Sequence, residues 1–429
     1  MTRFHTGITL LAGLAGTGLF GCADDAGPAG DVVVTDSAEV RVVVHPDASF
    51  DQTGALWTLD ETPVVAIGDV AGADDVLFDR VMGMDRLSDG RWVVADMGSS
   101  QVRWYAPDGT PLFSAGSRGE GPEEFRQVMG MVRLAGDTLA IDDARSRVQF
   151  LDGDGSFIGI LGEPGGSPFG VARTELAGVL ADGTPVAVTT PPFPQRITEP
   201  TTLTRGYHRA ALERTESGRF QVDVLDTIQV FDAMDFVPGW NNTTERVRFD
   251  EGRRFALRSD GVVVGDAMRF ELRFYSPDGE LRTVSRVEWT PRPVTEADIE
   301  RQRSDFINQG GEGGTEVSPQ LRQQRTDIAD SWQFADHMPG FMSLMVDRLD
   351  HVWLREYVPN QETVGVWRRA PVEPSRWLIV DPGGEIVGRA RTPARFLPLV
   401  IGEDFVAGLY YDEFEVEHIH SYRLHRARP

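Results

Sequence analysis

The chain repeats itself at a fixed spacing. "FDRVMGMDRL" begins at Phe78 and "FRQVMGMVRL" begins at Phe125, 47 residues later, and the phenylalanine, the VMGM run, an arginine and a leucine coincide. Downstream, "WVVADMGSSQVRWYAPDG" (Trp92 to Gly109) parallels "LAIDDARSRVQFLDGDG" (Leu139 to Gly155). In both, an aspartate precedes an Asp-Gly pair by 12 residues: Asp96 to Asp108, and Asp142 to Asp154. A third copy, "VVGDAMRFELRFYSPDG", sets Asp266 and Asp278 at the same distance, and "WLIVDPGGEIVGRA" from Trp377 keeps the strand, turn and strand. Self-similarity of this kind decides the fold before any single residue does.

Each unit reads as a meander. An apolar strand (VMGM) leads through a polar turn to a Val/Ile-rich strand that ends at aspartate. An alternating strand follows (VRWY, VQFL, LRFY), then Asp-Gly as a two-residue hairpin turn, then a last strand. Four strands in about 45 residues is the period of a propeller blade. The expected fold is therefore all-β: a six-bladed β-propeller of four-stranded antiparallel blades over residues 55–429. Blades are expected to start near Phe78, Phe125, Val171, Phe236, Asp336 and Phe396. The last runs out of chain after three strands, so "ALWTLDETPVVAIGD" (Ala55 to Asp69) is expected to supply its fourth, closing the ring and removing a free sheet edge.

One segment breaks the period. "TEADIERQRSDFINQ" (Thr295 to Gln309) opens with a Thr-x-x-Asp cap signal, "GGEGG" interrupts it, and "PQLRQQRTDIADSW" can form a second helix. This short helical insertion, about residues 291–335, lies between blades four and five, where it can serve as a lid or partner surface over one mouth.

The start of the chain reads as an address. Residues 1–21 carry Arg3 and a short apolar run, the pattern of a secretion signal, and "LFGC" (Leu19 to Cys22) resembles a bacterial lipobox with Cys22 as the lipidated residue. Residues 22–54 are then a tether and lead-in, and the expected location is the cell envelope, at the outer membrane or facing the periplasm. Cys22 is the only cysteine, so disulfides within the chain and cysteine-based zinc sites are excluded. The sequence contains no lysine, which removes Schiff-base chemistry and the P-loop lysine. A net charge of −24 disfavours nucleic acid as a partner. Membrane contact is expected through the lipid anchor only, and the chain is expected to act as a monomer.

Candidate chemistry is thin. "GSRGEGPEEF" (Gly116 to Phe125) looks faintly like a phosphate loop, but its spacing fits no phosphate motif and its glutamates would repel an anion. It recurs as "GEPGGSPFG" one period later, and so reads as a joint between blades, with Phe125 docked between them. Glu120, Glu123 and Glu124 remain candidates for a cation or partner site at a channel mouth, together with Asp79, Asp85 and Arg126. "DGDGSFIGILGE" (Asp152 to Glu163) mimics a calcium loop but has Phe157 where that loop needs glycine, so it reads as a hairpin turn. His418 and His420 share a strand face and form a candidate metal pair, with Glu415 or Glu417 as a third ligand. No cofactor is firmly implied; a divalent cation such as calcium is the one candidate.

The signal with Cys22, "PVVAIGD", "LSDGRWVVAD", "GSRGEGPEEF" and the C-terminal "YRLHR" resemble the bacterial six-bladed β-propeller lipoproteins, a group related to NHL-repeat propellers. The resemblance covers roughly residues 55–426 and implies the fold and hardly any chemistry. Related propellers that hydrolyse lactones and other small substrates hold a divalent metal in the channel with carboxylates and an asparagine. Two readings follow. The first is a membrane-tethered, non-catalytic binding propeller that recognises a peptide, glycan or protein partner at a channel mouth. The alternative is a metal-dependent hydrolase or lyase of the gluconolactonase-like type. A mouth lined by aromatics and arginines favours the first; converging carboxylates, Asn or His favour the second.

Overall fold

The repeats fold as antiparallel meanders arranged in a ring. The computed structural model describes residues 32–427 apart from 38, 69–75, 145–146, 162–172, 193, 217–218, 310–316 and 366. Blade one is Val81–Arg86, Trp92–Asp96, Gln101–Tyr105 and Pro111–Ala115, paired in that order. Blade two is Val128–Arg133, Leu139–Asp143, Arg147–Leu151 and Phe157–Leu161. Blade three runs from Arg173–Val179 to Arg219–Pro238, and blade four from Arg253–Arg258 to Leu281–Val287. Blade five spans Phe341–Val346 to Ile386–Thr392, and blade six Phe396–Ile401 to Glu417–His425.

The core is six separate seams rather than one centre. Strand side chains alternate between faces, and here both faces are covered, so the strands read as continuous apolar runs. Trp92 and Val94 pack towards blade six with Phe405 and Leu409. Their neighbours Val93 and Ala95 pack towards blade two with Val128 and Ile141. Equivalent clusters fill the seams between blades two and three, three and four, four and five, and five and six. Phe125 is fully buried in the seam of blades one and two, as its position in the joint predicts.

The hairpins differ from expectation in one detail. Gly109 takes φ 93° while Asp108 does not, Gly109 N donates to Ala106 O at 2.9 Å, and the register shifts at Trp104/Tyr105. This is a three-residue loop with a glycine bulge, not a two-residue turn. The same register shift recurs at Phe150/Leu151, Phe274/Tyr275 and Ile379/Val380. Asp152 to Ser156 is such a turn.

Two alignments read from the sequence need correction. Phe236 does not open blade four; it lies in the 20-residue last strand of blade three, whose hairpin with Thr201–Arg214 is more than twice the usual length. Blade four opens at Arg253, and Val171 lies outside the described residues. In blade two the counterpart of Asp96 is Asp143, not Asp142. Asp96 faces Val81 and Asp143 faces Val128 at the same ladder position.

The ring closes as the missing strand requires, with the work divided. Val65–Ile67 and Thr58–Leu59 pair with the last strand, Ile67 opposite Ile419. Ala55–Leu56 instead joins the outer strand of blade five in parallel. The lead-in also folds: Val33–Ser37 and Val40–His45 form a hairpin whose second strand runs parallel to the outer strand of blade four. Each added strand covers a sheet edge that would otherwise template aggregation.

Between blades four and five lie helix α1 (Glu296–Asn308) and helix α2 (Pro319–Asp330). Thr295 and Asp298 form the reciprocal capping box that the Thr-x-x-Asp signal predicts, and Ser318 caps α2 ahead of Pro319.

Candidate functional site

In a meander the start of the first strand, the end of the second and the start of the third share one end of the blade. The blade-to-blade joints and the loops between second and third strands therefore surround one mouth, the joint mouth. The turns between first and second strands surround the other. Asp79 precedes the first strand of blade one and sits at the joint mouth; Asp85 lies near that strand's far end, at the opposite mouth. Four strand residues, Val81 to Met84, lie between them, roughly 13 Å of strand, so they do not form one site.

At the joint mouth, Asp79 is paired with Arg80 at 2.8 Å, and its backbone N–H donates to buried Asp96. Asp96 in turn pairs with Arg103 at 3.1 Å, which donates to the carbonyl of Leu77. Blade two repeats this device. Asp143 accepts from the N–H of Gln127 and pairs with Arg147, whose guanidinium donates to the carbonyls of Glu120 (2.8 Å) and Glu124 (2.7 Å). A buried joint has orphan backbone groups, and an Asp–Arg pair satisfies donors and acceptors together.

That accounts for most of "GSRGEGPEEF". Gly116 has φ 95°, and a Cβ there would lie 2.4 Å from the Phe125 ring. Glu124 accepts from the N–H of Gly121 within the loop, and Glu120 pairs with Arg126 at 3.0 Å. The backbone N–H of Glu123 donates to Gln149, leaving its side chain exposed.

The histidines are each engaged locally. His418 lies 3.2 Å from Asp412, and His420 lies 3.0 Å from the Tyr422 hydroxyl and stacks on Tyr410. Burial, reinforced by the neighbouring His418, holds His420 down to about 4. Glu417 cannot join them, because alternation places it on the other face of the strand. It accepts instead from the N–H of Val81 at 2.8 Å and lies 3.3 Å from the Tyr411 hydroxyl, bonding blade six to blade one. Burial raises the Glu417 carboxyl above its ordinary range. Among the described residues no three His, Cys, Asp or Glu side chains converge as a metal site requires. Cys22 lies outside the described residues.

Sequence reasoning missed the exposed aromatics of this mouth. Trp367 is 57% exposed in the long loop of blade five, and Phe414 is 75% exposed in the corresponding loop of blade six. The two loops are tied by Gly365 N–H donating to Glu415 at 3.2 Å. Arg80 sits 5.9 Å from the centre of the Trp367 ring, and Arg368 anchors the loop on the carbonyl of Met82 at 2.6 Å. The available signals were "VWRRAP" and "YYDEFEVEH", in which a large aromatic stands inside a polar connector. At the opposite mouth, Asp85 pairs with Arg348 of blade five and, at 3.4 Å, with Arg133 of blade two.

No protein-family model and no curated relative matches the chain. Among solved structures, the chain is similar to a member of the DUF4221 family from Bacteroides vulgatus, at a TM-score of 0.50 and 11% identity, over 87% of this chain and 100% of that one. An exported-protein candidate from Bacteroides fragilis matches at a TM-score of 0.45 and 11% identity, over 90% of this chain and 100% of that one. At such identity the likeness is one of fold, and the fold is a six-bladed propeller.

Proposed function

We propose that this chain is a membrane-tethered, non-catalytic recognition propeller of the NHL-like lipoprotein type, which engages a peptide, glycan or protein partner at its joint mouth. The observation that carries the reading is the pair Trp367 and Phe414, held in solvent on two loops tied to each other, with Arg80 beside Trp367. Exposed aromatics cost solubility unless something covers them, and aromatic and arginine side chains dominate recognition surfaces. The tether is Cys22 behind the signal of residues 1–21, which places the ring in the cell envelope.

A photo-crosslinking amino acid at position 367 should give a discrete adduct in cell envelopes, and the same probe at Leu56 on the outer wall should not. Equal labelling at both positions, or none at 367, overturns the reading. Separately, Cys22→Ser should release the protein from membranes; retention would refute the lipid tether.

A further inference from the structure

The joint mouth has a second feature, an open cleft beside the helical insertion. A cleft of about 560 Å³ opens between α1, the joint before blade four and the long loop of blade five. That is within the range of small-molecule sites, about 300–1,000 Å³.

Its lining is unlike a packing interface. Gln302, Asp305, Phe306 and Gln309 recur at i, i+3, i+4 and i+7, so one face of α1 with its cap residue presents polar groups and one aromatic towards the ring. A helix that merely packed there would present an apolar stripe. Opposite stand Trp332, Arg248 and Arg369. Arg248 lies 3.9 Å from the centre of the Trp332 ring and is paired with Glu245 at 3.2 Å. Arg369 is exposed and makes no hydrogen bond or ion pair with the described residues.

Polar capacity is left unused here. The side-chain oxygen of Gln302, the Nε of Arg248 and the indole N–H of Trp332 are buried without a protein partner, and Trp332 is only 8% exposed. Such groups cost roughly 1–3 kcal/mol each when left unmade, so a side-chain shift that opened them to the cleft would gain from a polar ligand there.

We infer that this cleft binds an acidic glycan, its carboxylate held by Arg369 and Arg248 and its hydroxyls by Gln302 and Asp305, against Phe306. The chemistry selects that class. A guanidinium fork matches a sugar carboxylate. Planar amide and carboxylate side chains bridge neighbouring hydroxyls, and an aromatic covers the apolar face of a pyranose. Asp305 disfavours a polyanion without hydroxyls. The inference rests on the recognition reading and names the ligand class of the same mouth.

Titration calorimetry of the full chain with trigalacturonate, against neutral maltotriose, tests it. Trigalacturonate should bind at least about tenfold more tightly. Arg369→Ala should cost about tenfold or more, Arg369→Lys less, and Gln302→Ala a measurable loss for both sugars. Arg369 is exposed, so its replacement leaves the fold intact. Leu56→Ala, on the outer wall, should leave sugar binding unchanged; the crosslinking test reads position 367 alone, so either test can fail without the other. Equal affinity for the two sugars, no effect of Arg369→Ala, or equally tight binding of hexaglutamate overturns the proposal.

Discussion

The guanidinium of Arg426 lies 4.7 Å from the centre of the Trp57 ring and 2.8 Å from the carboxylate of Asp347. One side chain thus joins the segment that closes the ring, the continuation of the last strand, and the first turn of blade five. Asp347 has a fully buried side chain and also accepts from the indole of Trp353 at 3.0 Å. Removing Arg426 leaves that buried carboxylate without its countercharge, a loss of about 3 kcal/mol. Arg426→Ala should lower the urea midpoint accordingly. Arg426→Met keeps cover over Trp57 but not the charge, and should cost nearly as much. If Met restores stability, packing rather than charge closes the seam.

The same carboxylate predicts an acid limb. Burial alone would raise Asp347, but hydrogen bonds from His351 and Trp353 and the Arg426 charge override it and hold the group at about 2, against 3.8 unperturbed. The folded state then binds fewer protons than the unfolded state between those values. Its contribution is complete above about pH 4 and is lost as pH falls through about 2. Asp347→Asn should be less stable at neutral pH and lose less of its stability across that window. An unchanged acid limb in the variant would show that other carboxylates govern it.

The joint between blades one and two depends on Arg147. Its guanidinium carries two carbonyls of the loop and pairs with Asp143, whose side chain is fully buried. Arg147→Gln strips the loop of these anchors while Phe125 stays docked. Proteolysis between residues 116 and 125 should accelerate several-fold, through local opening rather than global unfolding. Cleavage spread evenly over the chain would contradict this, as would an unchanged rate.

These cases show what the sequence exposes and what it hides. Blades one, two and four announce themselves because the Asp and Asp-Gly signals, joined by VMGM in the first two, are local and repeat at one spacing. Blade three is disguised by strands of 14 and 20 residues, whose extra length moved the apparent start of blade four back to Phe236. Asp142 took the place of Asp143 because a residue count does not see a turn that is one residue shorter. The candidate site was hidden for another reason. Trp367 with Arg369, Phe414 and Gln302 belong to three separate stretches of non-repeating sequence, and only ring closure and the placement of the insertion bring them to one mouth. Asp79 and Asp85 looked like neighbours for the converse reason, because closeness in sequence along a strand is distance in space.

The opposite mouth offers the sharpest test of the ring itself. Asp85 of blade one meets Arg348 of blade five, passing over blade six, and approaches Arg133 of blade two at 3.4 Å. Arg348 also donates to the carbonyl of Arg86 at 3.0 Å and lies 5.6 Å from the centre of the Phe405 ring of blade six. Four blades therefore converge on one partly exposed cluster. Because Asp85 serves two guanidiniums, Asp85→Asn should destabilise more than Arg133→Gln, with a loss of about 1–2 kcal/mol that shrinks at high salt. A double-mutant cycle between Asp85→Asn and Arg348→Gln should show coupling of about 1 kcal/mol, since the two side chains are in contact. Additive losses would mean that blades one and five do not meet across this mouth in solution.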